Sequence, residues 1–122
     1  MATQTTTPFD VRRLTRAVQE RDAETQLEMY APDATVKVVD RITQPGSPRI
    51  LRGHAEIGSW IADTASRDMV HTVEHAVQDA GGAAFALSCR YPDGTNVLCA
   101  TVLELVDGLI VRQIVAQAWD EK

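Results

Sequence analysis

Few side chains in this 122-residue sequence could move a proton at neutral pH. The stretch "MVHTVEH" sets His71 and His75 in one extended segment. Imidazole changes charge near neutrality, which suits it to general acid–base work. Asp40 is the second candidate base. It ends the run "DATVKVVD" and shares the parity of Val38, so on a strand it points to the same side from nearer the end. Cys89 could be a nucleophile only with a base beside it, and only the histidines could provide one. No carboxylate pattern accompanies His71 and His75, and Cys89 and Cys99 lack companions at ligand spacing. Neither a metal nor a cofactor is called for. His54, beside a helix start, reads as a surface residue.

The elements that must position these groups change character along the chain. Thr7-Pro8-Phe9-Asp10 has the form of a capping box with proline at the first helical position. Val11, Leu14 and Val18 follow at helical spacing. Asp22 can cap a second short helix carrying Leu27 and Tyr30, which Pro32 ends. A strand over 34–41, the loop "QPGSP" and a short strand at 49–52 lead to Gly53 and a third helix, where Ile57, Trp60 and Ile61 share a face. Four long strands complete the chain: Val70–Asp79, Ala83–Tyr91, Asn96–Val106 and Leu109–Trp119. They are separated by "AGG", "PDGT" and "DG", all hairpin signals. Helices first and an antiparallel meander afterwards make the fold class α+β.

Tight two-residue turns at Asp93-Gly94 and Asp107-Gly108 would fix side-chain directions. One face then collects Phe85, Leu87, Cys89, Tyr91, Leu98, Val102, Glu104, Gln113, Val115, Gln117 and Trp119. The other collects Cys99, Thr101, Leu103, Leu105, Ile110 and Ile114. Cys89 and Cys99 fall on opposite faces, against an internal disulfide. At the preceding hairpin two registers stay open. A two-residue Gly81-Gly82 turn sends His71 and His75 outward, and a three-residue loop through Ala80 turns them inward. Both faces are mainly apolar, unlike a sheet with one wet side. Three helices cover one face, so the other is expected to meet a second copy of the chain.

Composition narrows the function classes. Hydrophobic residues make up 44% and the formal net charge is −5, with scattered basic residues, so nucleic acid is excluded as a partner. No run approaches the roughly 18 apolar residues of a membrane span. "MATQTTTPFD" lacks the regions of a signal peptide, and residues 1–8 read as a flexible tail before a single domain over 9–120. Two cysteines are too few for a disulfide framework and fit reduced thiols in the cytoplasm.

The order of helix, helix ending in "MYAPDATV", strand, "LRGHAEIGSWI" and four strands closing on "VDGLIVRQIVAQAWDE" resembles the nuclear transport factor 2-like superfamily, especially its SnoaL-like branch. The likeness covers about residues 9–120. It implies three helices packed in a strongly curved, mainly antiparallel sheet, a conical α+β barrel with one deep apolar pocket for a small hydrophobic molecule. It also implies a homodimer through the convex face. Tyr30, Val38, Trp60, Cys89, Tyr91, Val102, Glu104, Gln113, Gln117 and Trp119 would line the pocket, with Gln113, Gln117 and a tyrosine orienting polar atoms. In the ketosteroid isomerases of this superfamily, the positions of Leu14, Val38 and Val102 carry the catalytic tyrosine and acids, so that mechanism is not available here. Its dehydratase-like members place an acid–base histidine early in the third strand, about where His71 stands. Their tyrosine and aspartate companions fall near Val18, Gln19 and Val38. The Arg-x-Asp of its epoxide hydrolases is missing from the long strands. The resemblance therefore implies either cofactor-free isomerisation, cyclisation or dehydration with His71 or Asp40 as base, or a non-catalytic binding or dimerisation module.

Overall fold

A computed structural model describes residues 8–121. The expected Thr7 cap and most of the expected tail lie outside that range. Asp10 caps the first helix instead: its backbone is extended and its carboxylate accepts from Arg12 N at 2.9 Å. Helix α1 (Val11–Gln19) buries Val11, Leu14 and Ala17. It therefore starts beyond Pro8, with Phe9 buried ahead of it. The Gln78 amide holds that segment, accepting from Val11 N at 2.7 Å and donating to the Phe9 carbonyl at 2.7 Å. Asp22 caps α2 (Ala23–Glu28) through Thr25, as anticipated.

Strand β1 (Tyr30–Val39) begins earlier than expected and contains Pro32. Pairing with the last strand lapses between Tyr30 and Thr35, so the proline breaks no ladder bond there. Strand β2 (Arg49–Arg52) turns into α3 (Gly53–Ser66) at Gly53, whose φ of 76° is the left-handed conformation glycine tolerates. Strands β3 (Val70–Gln78), β4 (Gly82–Arg90), β5 (Asn96–Val106) and β6 (Leu109–Trp119) follow. The six strands run in the order β2-β1-β6-β5-β4-β3. Only the β1–β6 pair is parallel, and the two end strands do not join, so the cone is an open one. On its inner face α1 packs on β3 and α3 on β1 and β2, with α2 between the two helices. Val36, Ile57 and Ile110 are wholly buried at this junction. Among the described residues no helix is long and apolar enough to cross a membrane.

Three register details decide which side chains face inward. At the β3–β4 hairpin neither anticipated register holds. His75 opposes Ala86, but Val73 opposes Leu87, leaving Glu74 as an extra residue. This bulge turns His71 inward opposite Cys89 while His75 stays exposed. At the β4–β5 connection Arg90 pairs with Asn96 and Cys89 with Val97, one residue off the two-residue-turn register. The looser loop is closed by Tyr91 N, which donates to the Thr95 carbonyl at 2.9 Å. The last hairpin does turn at Asp107-Gly108, both at positive φ, yet Leu105 pairs with Ile110 and Glu104 with Arg112, so Val111 is bulged out.

Strand β5 is consequently inverted relative to the sequence expectation. Val97, Cys99, Thr101, Leu103 and Leu105 face in. Val102 and Glu104, expected on the pocket wall, lie on the convex face, with Val102 56% exposed. Cys89 and Cys99, expected on opposite faces, share the inner one.

The Gln78 clamp is testable. Gln78→Ala removes two hydrogen bonds joining α1 to the edge strand and should cost about 1–2 kcal/mol, read as a lower urea midpoint at unchanged slope. An unmoved midpoint would mean that apolar contact alone docks α1.

Candidate functional site

The inner face encloses a cavity of about 90 Å³ between the helices and β3–β6. Its apolar wall comes from Leu14 and Val18 on α1, Trp60 and Ile61 on α3, and Phe85, Leu87 and Val115 on the sheet. Its polar groups are Gln26, Tyr30, Thr64, His71, Cys99, Thr101, Gln113 and Gln117. An engineered cavity of about 150 Å³ holds benzene, so this space suits a single ring or something smaller. A second chamber of about 70 Å³ adjoins it through Trp60, Thr64 and Gln117, and reaches Asp40, Arg49, Arg67, Tyr91 and Trp119.

Tyr30 opens β1 and is 4% exposed, with its hydroxyl donating to Oε1 of Gln113 on β6. Burial pushes the phenol above the ordinary tyrosine range. Because its proton is committed, Tyr30 orients Gln113 rather than a ligand. The Gln113 amide nitrogen has no protein partner among the described residues and is left as a donor on the cavity wall. His54, expected at the surface, instead reaches the Tyr30 carbonyl with Nε2 at 2.8 Å and helps to fix this corner. Gln117 accepts from Trp119 Nε1 at 3.0 Å, which again frees its amide nitrogen.

His71 is 7% exposed and lies on the cavity wall. Its Nδ1 is 3.1 Å from Sγ of Cys89, and Nε2 has no protein partner among the described residues. Cys89 is just behind the wall and Cys99 on it. Hydrogen bonding from the Cys99 thiol, then from His71, holds Cys89 below the ordinary thiol range although burial works the other way. The same bond and burial push Cys99 upward.

The other anticipated residues separate into two groups. Asp40 is at the outer chamber, and its Oδ1 accepts from Ile42 N, Thr43 N and Thr43 Oγ1 at 2.9–3.1 Å. It caps a turn and does not reach the inner cavity. Tyr91 and Trp119 stack at 5.8 Å beside the same outer chamber, with Arg67 donating to the Tyr91 hydroxyl and Arg41 4.5 Å over the Trp119 ring. Val38 faces inward but is core, 1% exposed, and is absent from the cavity wall. Val102 and Glu104 are on the opposite side of the sheet. Thr101 and Cys99 were missed because the parity assigned to β5 put them outside. The one sequence signal for them is the five-residue span "YPDGT", long enough to accommodate a looser loop than two residues.

Residues 11–113 match the SnoaL-like domain family. Solved structures similar to this chain include a ketosteroid isomerase-like protein from Kribbella flavida, 21% identical, with 92% of this chain and 76% of that one covered at a TM-score of 0.70. An NTF2-like protein of unknown function from Mesorhizobium loti is 16% identical, with 88% and 87% covered and a TM-score of 0.76. The epoxide hydrolase/cyclase-like enzyme SalBIII, described in pyran ring formation in salinomycin, is 22% identical, with 88% and 87% covered and a TM-score of 0.68. At these identities the likeness is one of fold. No curated protein matches the chain.

The burial of Tyr30 sets a pH dependence. Below about pH 10 the phenol is neutral in folded and unfolded chains alike. Above it the unfolded chain loses the proton and the folded chain keeps it, so stability falls as pH rises from about 10. Urea unfolding across alkaline pH should show this fall in the wild type and its loss in Tyr30→Phe. Identical profiles would exclude Tyr30 as its source.

Proposed function

The chain belongs to the SnoaL-like domain family, and from that premise we propose that it moves a proton, without a cofactor, on a small apolar molecule bearing a carbonyl group. The observation that carries this reading is the placing of His71 and Gln113 on one cavity wall. His71 offers an unpartnered Nε2 as base, and the Gln113 amide offers a donor for the oxygen on which charge develops. Apolar surroundings exclude water and strengthen both interactions. Isomerisation, cyclisation and dehydration all begin with such a transfer next to an activated oxygen. The cavity volume restricts the substrate to about one ring. Asp40 is spent on its turn, so His71 alone is assigned the base.

The protein works as a homodimer through the convex face of the sheet. Leu98, Val102 and Ile114 are 52%, 56% and 44% exposed there, on neighbouring strands with Ala100, Ala116 and Ala118 between them. A contiguous apolar patch of this kind marks an interaction surface, and a second copy presents the same surface in return. The buried free thiols fit a reducing cytoplasm.

Exchange of α-protons of cyclohexanone in D2O, followed by NMR, tests the chemistry. The wild type should accelerate exchange and His71→Asn should lower the rate about 10²–10⁴-fold, with Glu104→Gln on the convex face unchanged. A ketone that binds without accelerated exchange would identify a binding module instead. Sedimentation should give a dimer for the wild type and a monomer for Val102→Glu. A monomeric wild type would remove the convex face from the assembly.

A further inference from the structure

The sequence supplies no aspartate to orient His71, yet the structure supplies a partner. We propose that Cys89 is the positioning residue of His71: its sulfur accepts the Nδ1 proton and leaves the bare Nε2 lone pair on the cavity wall. This rests on the reading of His71 as the base and adds the group that makes it one.

The two residues are direct cross-strand partners on β3 and β4, so the sheet itself holds Nδ1 and Sγ at 3.1 Å. Cys89 is 4% exposed and is not on the cavity wall, so it meets no ligand and acts only through the imidazole. Two proton arrangements fit that distance. If Cys89 donated to Nδ1, the remaining proton would sit on Nε2 and the cavity would see a donor rather than a base. Cys99 decides between them. Cys99 is a diagonal neighbour of Cys89 on the same buried face, and it and the imidazole both favour the ionised sulfur, which can only accept. The anionic sulfur then plays the part a carboxylate plays behind a catalytic histidine.

Other roles for the cluster fare worse. Cys89 opposes Val97 and Cys99 opposes Leu87, so the cysteines are diagonal neighbours. Diagonal positions have Cα atoms about 7–8 Å apart, beyond the usual span of a disulfide. Among the described residues no three of His, Cys, Asp and Glu converge to hold a metal ion.

The test is the tautomer of His71 in the full chain, read from 15N-labelled histidine by NMR and assigned among the three histidines with His71→Asn. The wild type should be protonated at Nδ1 with Nε2 bare. Cys89→Ala should lose that preference, and Cys89→Ser, whose hydroxyl can still accept, should recover it. An ultraviolet thiolate band at neutral pH should be present in the wild type, absent in Cys89→Ser and reduced in Cys99→Ala. Cyclohexanone exchange should fall on the order of tenfold or more in Cys89→Ala at unchanged ketone affinity. An Nε2-protonated wild type, or a tautomer unmoved in Cys89→Ala and Cys89→Ser alike, overturns the assignment. If instead the tautomer is as stated but His71→Asn leaves exchange unchanged, the catalytic reading falls and the positioning contact stands.

Discussion

One strand has to face inward at two places that a regular strand could not serve together. His71 and Gln78 are an odd number of residues apart, and side chains alternate along β3, so an unbroken ladder would send one of them outside. The extra residue at Glu74 resolves this. Above it His71 opposes the inward Cys89, and below it Gln78 opposes the inward Ala83. The same strand can then furnish the cavity with an imidazole and hold the start of α1 with an amide. Glu74 itself turns outward and accepts from Ser88 Oγ at 2.7 Å, which ties the bulge to the neighbouring strand. The docking of α1 and the inward placing of His71 thus depend on one irregularity in an edge strand.

The element order was legible in the sequence because each boundary has its own local chemistry. Asp22, Gly53 and Asp107-Gly108 each do what their residue type requires, and the last two long strands end where periodicity and turns place them. The facing of β5 was not legible, for a physical reason. It alternates strictly between buried and exposed, but both sets are apolar: Val97, Leu103 and Leu105 inside, Leu98 and Val102 outside. Hydrophobicity could not choose between them, so loop length and the Val111 bulge decided, and both shifted by one residue. Every error about Val102, Glu104, Cys99 and Thr101 descends from that single inversion. On β6 beyond the bulge the parity of Gln113, Val115 and Gln117 was read correctly.

The polar groups around the cavity share a pattern. Tyr30 spends its proton on Gln113, Trp119 spends its indole N–H on Gln117, and Cys89 engages Nδ1 of His71. Each contact satisfies one end of a side chain and leaves the other end for the cavity. Pairing of this kind restricts rotation, so the ends that face the cavity are held in fixed orientations. Asp40 shows the opposite outcome, since three donors on one oxygen make it part of a turn.

The tie between α1 and the sheet also bears on solubility. Strand β3 is an end strand, and a row of free amides at such an edge is a template for strands of other molecules. Here Gln19 accepts from Val73 N at 2.9 Å, just beside the bulge, and Gln78 is occupied with α1. A visiting strand would find that amide taken and the ladder out of step beyond it. Gln19, which helps to dock the helix, therefore also takes up an edge amide at the point where the ladder changes step.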